Sequence, residues 1–243
     1  MKRLILFLLL PGSIAIAAVM GNQPEKIERE YDGIGVEKLH VENTSGRINI
    51  TVGNRPRVVI TATKTNFPEK CTFTTEKTES LEVIVRVERP VAQDCQVDLD
   101  ISVPKQIALN LWSGSGRIDV NGIEGNLTFN TGAGSVTANG RFAEVEGKSG
   151  SGNVTINGIA GGGSVSVGSG NVNLKFNEDL AGNFDVKTGN GDALLNFPRG
   201  SKIKADLGAG SGQIENEIQT SDSADFGISV KTGSGDLKVK AYE

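Results

Sequence analysis

The chain has 243 residues, of which 32 are glycine, and a formal net charge of −4. That glycine share is about twice the usual one, yet it is periodic, so it marks turns and not disorder. An acidic chain without basic blocks is a poor partner for nucleic acid or anionic lipid.

The N-terminus reads as a secretory signal: Lys2 and Arg3, the apolar run Leu4–Leu10, a Pro11-Gly12 break, then small residues at Ala15 and Ala17 that suit cleavage after Ala17. The stretch from Leu4 to Met20 is short for a membrane span and broken by Pro-Gly. Removal of the signal takes away Lys2 and Arg3, leaving 23 basic against 29 acidic residues, a net of −6. The expectation is export to the periplasm or surface of a bacterium. Residues 18–35 follow as a lead segment, and residues 36–243 as one domain, since no Pro- or Ser-rich linker interrupts their alternation.

The ladder of that domain begins at Ser45-Gly46, with Leu39, Val41, Ile48 and Ile50 at inward offsets. Strand-like runs follow at Arg57–Thr63, Leu81–Val87, Gln96–Val103 and Ile107–Trp112 without a glycine mark, so residues 36–106 are read as wider or irregular coils. Cys71 and Cys95, the only cysteines, are expected to form one disulfide there, closing a loop of about 25 residues. Neither CxxC spacing nor histidine partners suggest a metal or redox site.

From residue 107 onward a Gly-x-Gly mark recurs. Its second glycine falls at Gly116, Gly134, Gly152, Gly170, Gly191, Gly212 and Gly235, at intervals of 18 to 23 residues. Two residues after it comes an apolar side chain in every copy, from Ile118 to Leu237, and four after it in every copy but Asn216. Five and seven before it the pattern is again apolar, apart from Gly147 and Gly163. Such period-2 alternation on both sides of a glycine turn reads as strand, corner, strand. Neither strand buries its apolar face alone, so the coils must stack about 4.8 Å apart around a narrow shared core. The expectation is an all-β, flattened and elongated β-solenoid with about two short strands per coil; a propeller blade needs about 40 residues and four strands. Gly147 and Gly163 mark a bulge or narrowing in this reading, with Phe129 filling the gap.

The outward positions three and five after the mark read Asp119/Asn121, Thr137/Asn139, Thr155/Asn157 and Asn173/Lys175 over four coils. In a parallel stack they form a polar stripe that either bonds along itself or meets a planar polar ligand such as a glycan. Trp112 is outward just before the first regular corner, and an exposed Trp can anchor sugars or partners. The candidate binding face is therefore this stripe together with Trp112. His40, the only histidine, is read as a surface or strand-edge residue. No GxSxG or GxGxxG occurs, so neither a nucleophile elbow nor a dinucleotide loop is expected. Calcium-binding glycine repeats need an acid in each turn; here the residue after the mark is an acid only at Asp192 and Asp236, which in sequence order do not fall in adjacent coils. No metal, cofactor or catalytic residue is expected, and outward Glu144, Glu146, Asp185, Asp206, Glu215 and Glu217 are scattered by this register.

SGSGRIDV, TGAGSVTA, SGSGNVTI, VGSGNVNL, TGNGDALL, GAGSGQIE and TGSGDLKV, with VENTSGRINITVG and DLDISVP upstream, resemble the Gly-Ser-Gly β-strand repeats of a large bacterial family of exported, adhesin-like proteins of unknown function. The resemblance covers nearly the whole mature chain. It implies a right-handed β-solenoid of the toast-rack kind in the cell envelope and supplies no catalytic residues. The expected function is a non-enzymatic envelope module that binds a glycan, polymer or protein partner. A structural spacer or assembly subunit that stacks through its end coils is the alternative, although outward Lys238 and Lys240 are expected to guard the C-terminal coil, and a polysaccharide-active enzyme is a third.

Overall fold

The computed structural model describes residues 24–88, 95–178, 180–221 and 223–243; the expected signal segment lies outside them. Eighteen strands and no helix make up the described residues, and all the strands join one hydrogen-bonded sheet. Its centre is three 16-residue strands, β9 (Ile118–Ala133), β10 (Val136–Ser151) and β11 (Val154–Ser169), paired parallel and in register. Each spans both expected strands of a coil, because the Gly-x-Gly corner breaks the hydrogen-bonded run while the coil's second corner does not. That second corner sits at recurring Asn-Gly pairs, Asn121-Gly122, Asn139-Gly140 and Asn157-Gly158, where the pairing register shifts.

Both halves of each coil cover one core. On the strand after the mark, Ile50, Val120, Ala138, Ile156, Leu174, Leu195 and Val239 follow one another across paired strands, all fully buried. Each such valine, leucine or isoleucine is worth about 1.5–3 kcal/mol over leaving it in water. Where the coil closes, Phe176 stacks on Phe197 at 4.2 Å and meets Phe184 edge-on at 5.2 Å. Three residues before the mark the inward side chain turns polar: Asn43, Ser113, Thr131, Ser149, Thr188 and Thr232 are buried. Several of them satisfy corner carbonyls, as Thr188 does for Gly170 and Thr232 for Gly235.

The coils do not stack in chain order at either end. β2 (Lys38–Ser45) and β3 (Ile48–Val52) form the first coil, and it pairs directly with β8 (Ala108–Ser115) and β9. The intervening β6 (Glu82–Glu88) and β7 (Gln96–Val103) lie on its other side. Beyond them the sheet reverses: β4 (Arg57–Asn66) pairs antiparallel with β7, β1 (Glu25–Asp32) with β4, and β5 (Thr72–Lys77) with β6. The region expected to be irregular thus holds two parallel coils, β2–β3 and β6–β7, capped by an antiparallel layer of β4 and β5, and β1 of the lead segment is a strand of that layer.

At the other end, β12 (Val172–Phe176), β13 (Phe184–Asn190) and β14 (Ala193–Pro198) continue the stack. The next layer is the C-terminal repeat, β17 (Gly227–Ser234) and β18 (Leu237–Tyr242), paired with β13 and β14. The earlier repeat, β15 (Lys204–Ser211) and β16 (Ile214–Asn216), is displaced to the outside. This corrects the expectation that Lys238 and Lys240 guard the last coil: they lie one layer in and pair with Glu215 and Glu217 of the end coil. The polar Asn216 at an otherwise apolar offset is explained by the same displacement, since β16 is exposed throughout.

Cys71 and Cys95 are disulfide-bonded, both buried, with a Cα–Cα distance of 5.9 Å and a sequence separation of 24. The bridge ties the start of β5, in the antiparallel layer, to the start of β7 in the coil beneath it. Replacing both by serine is expected to cost about 3 kcal/mol, measured as a shift in the urea midpoint of the oxidised protein against the variant. An unchanged midpoint would mean that this layer does not take part in cooperative unfolding.

Candidate functional site

Strand alternation decides what each face of the solenoid offers. On the face after the mark, the structure brings the expected stripe together: Asp119, Thr137, Thr155 and Asn173 are successive register partners, and so are Asn121, Asn139, Asn157 and Lys175. The amides are largely consumed by one another. Asn139 Nδ2 donates to Asn121 Oδ1 at 3.0 Å, and Asn157 Nδ2 donates to Asn139 Oδ1 at 2.8 Å. Asn196 donates to Asn173 at 3.2 Å, Asp119 accepts from Arg117 at 2.7 Å, and the Lys175 ammonium stands 4.0 Å over the Tyr242 ring. This stripe stabilises the stack along its axis.

A second ladder at the corner was legible in the sequence only as a failed metal motif. Asn153 Oδ1 accepts the backbone N–H of Asn171, Asn171 that of Asp192, Asp192 that of Asp236, and Asp236 that of Gln213, at 2.8–2.9 Å. Side-chain oxygens at this position cap the donor that each corner leaves open. The coils of Asp192 and Asp236 are neighbours, contrary to the expectation from sequence order, because the C-terminal repeat is interleaved. Their carboxylates serve as these caps, and no group of three or more potential metal ligands occurs among the described residues.

Trp112 is not part of the stripe. It lies on β8, before the corner, and faces away from the core that both layers cover; its side is the opposite one. There it is flanked in register by Glu42 and Asn130, with Lys148 next to Asn130. One row over run His40, Asn110, Thr128 and Glu146. Between the two rows is a hollow of about 640 Å³, floored by the backbone of Leu111, Phe129 and Gly147. Trp112 is 39% exposed. The side chains of Asn110, Thr128, Asn130 and Lys148, and the Trp112 indole N–H, have no hydrogen-bond partner among the described residues, in contrast to the asparagines of the opposite face. Phe129 fills the space that a side chain at Gly147 would take, since a Cβ there would lie 2.2 Å from its ring.

His40 and Glu42 close one end of the hollow. His40 Nε2 donates to Glu42 Oε1 at 2.6 Å, and Arg86 Nε stands 3.4 Å from Oε2. The His40 hydrogen bond, helped by the positive charges of His40 and Arg86 and opposed by partial burial, holds the Glu42 carboxyl below its ordinary 4.5. A depressed carboxylate contributes stability that is fully present above its ordinary value and is lost as pH falls through the folded one. His40→Ala is expected to move Glu42 back up towards 4.5 and to shrink this acid-side loss, read by NMR titration of the Glu42 carboxyl carbon. A titration that does not move would show that Arg86 alone sets the shift.

The profile of a family described as Toastrack DUF4097 matches residues 37–240. Among solved structures, a candidate adhesin from Bacteroides fragilis NCTC 9343 is similar with a TM-score of 0.53 at 16% identity, over 91% of this chain and 100% of that one. A candidate adhesin from Parabacteroides distasonis ATCC 8503 gives 0.47 at 13% identity over 89% and 98% of the two chains. A candidate cell adhesion protein from Clostridium sporogenes ATCC 15579 gives 0.38 at 13% identity over 90% and 100%. At such identities the Bacteroides structure shows a shared fold and says nothing of a shared ligand. No curated protein matches the chain.

Proposed function

The chain belongs to the Toastrack DUF4097 family, and from that premise we propose that it is an exported, non-enzymatic, adhesin-like module of the bacterial envelope that binds a glycan, polymer or protein partner on its outer faces. The observation that carries this reading is the contrast between its two long faces. One spends its amides on holding the stack together, and the other presents an exposed aromatic among polar groups without partners among the described residues. The disulfide supports an oxidising compartment. Absence of catalysis is supported by the placement of the outward acids: Ser164 separates Glu146 from Asp185, and Glu215 and Glu217 are tied to lysines. No helix among the described residues is long and apolar enough to cross a membrane.

Fractionation of cells producing the full chain, followed by intact mass measurement, tests the export part. The reading expects the chain in the envelope fraction, shortened at the N-terminus and with its thiols oxidised. Full-length, reduced protein in the cytoplasm would overturn it. A spacer or assembly role is favoured by one observation, the end coil, where Ile214 is 47% exposed on an edge strand paired on one side. Concentration-dependent association in light scattering would support that role.

A further inference from the structure

The geometry points to the hollow beside Trp112 as the seat of a neutral sugar ring within a glycan chain, an inference that rests on the binding-module reading above. A pyranose has one face of C–H groups and an edge of hydroxyls. It is therefore held by a flat aromatic platform ringed with hydrogen-bonding groups, and the chain supplies that pairing at this place and not on its opposite face. The indole of Trp112 is the platform, fixed on a strand paired on both sides. Asn110, Thr128, Asn130 and Lys148 surround it with donors and acceptors that no described residue uses, and the hollow's volume of about 640 Å³ is in the range that small-ligand sites occupy. Leu111 and Phe129 turn their side chains into the core, and Phe129 fills the inner space beneath Gly147, so the floor offered to a ring is backbone with packed side chains under it.

The charged groups around Trp112 are balanced. Glu42 is engaged by His40 and Arg86, and Glu146 accepts a hydrogen bond from Ser164 at 2.6 Å. Lys148 is two residues from Glu146 on the same strand, so neither sign dominates the hollow. An uncharged polyhydroxylated ring meets these groups without leaving a net charge unmatched. Lys148 also borders a second hollow of about 710 Å³ that runs on across the next coils towards Lys187 and Lys231, over outward glycines. A chain of sugars seated at Trp112 thus has an open path along the solenoid axis, and Lys231 on that path is already neutralised by Asp206.

Trp112 is the only tryptophan, so its fluorescence reports the site directly. The mature protein is titrated with cellohexaose, maltohexaose and chitohexaose, and with an oligogalacturonate as acidic comparator. Calorimetry then repeats the titrations on Trp112→Ala, Trp112→Phe and a triple variant of the stripe, Thr137→Lys/Thr155→Lys/Asn173→Lys. The expected result is a saturable emission shift with at least one neutral hexaose, an affinity about 30-fold or more lower in Trp112→Ala, a smaller loss in Trp112→Phe, and a change within about 3-fold in the stripe variant. No saturable shift with any neutral hexaose, binding of the acidic oligomer alone, or unchanged binding by Trp112→Ala would each overturn the assignment. Equal retention of wild type and Trp112→Ala on isolated cell envelopes would overturn this site and leave the binding-module reading standing. Retention of neither would overturn both.

Discussion

Replacing Gly134 by alanine is expected to destabilise the solenoid by about 4 kcal/mol, while the same change at Gly200 costs about 1 kcal/mol. Both glycines have positive φ, +140° and +89°, so both substitutions strain the backbone. Only Gly134 lies in the corner ladder, where an added Cβ would stand 2.0 Å from the carbonyl oxygen of Gly116 in the coil beside it. That atom is backbone in a hydrogen-bonded layer, so relief requires two coils to separate and the ladder to open. At Gly200 nothing lies within 4 Å. Urea denaturation of the two variants separates backbone strain from close approach. Equal losses would mean that the corner glycines are present for their φ alone.

The second large effect concerns Phe129 and Gly147. Phe129→Ala is expected to cost about 4 kcal/mol, because the ring is fully buried and the residue facing it in the next coil has no side chain with which to fill the void. Gly147→Ala costs about 2 kcal/mol by a different route: its Cβ would overlap the buried ring of Phe129. Shrinking the ring should relieve that overlap, so adding Gly147→Ala to Phe129→Leu should cost less than adding it to the wild type, by about 1 kcal/mol. Additive losses in this cycle would show that the two positions do not share one space.

The alternation and the corners were legible because each is local, and the cysteine pair because the chain has only two cysteines. An apolar residue two after every mark has one inward direction, and a Gly-x-Gly corner has one geometric use. The same holds for the outward placement of Trp112 and for the coexistence of Gly147 with Phe129. The order of the coils was not legible, and the reason is the periodicity itself. Equivalent coils present nearly the same apolar edge, so β17 and β18 fit against β13 and β14 as well as β15 and β16 would. The one local clue was Asn216, a polar residue at a core offset, which a strand tolerates only where its inner face is open to water. Two conclusions drawn from sequence order failed with it, the guarding role of Lys238 and Lys240 and the separation of Asp192 from Asp236. The Asn/Thr stripe was found, but a list of outward residues does not say whether amides 4.8 Å apart bond one another or wait for a ligand. Nor does it say that Trp112 and the stripe, close in sequence, lie on opposite sides of the core.

Co-sedimentation of the purified mature protein with isolated cell envelopes tests the binding role most directly. Saturable retention, reduced by periodate oxidation of the envelope sugars, is the result this account predicts. Protein that stays in the supernatant at every envelope concentration, while associating with itself as its own concentration rises, would contradict it and make the solenoid a structural subunit.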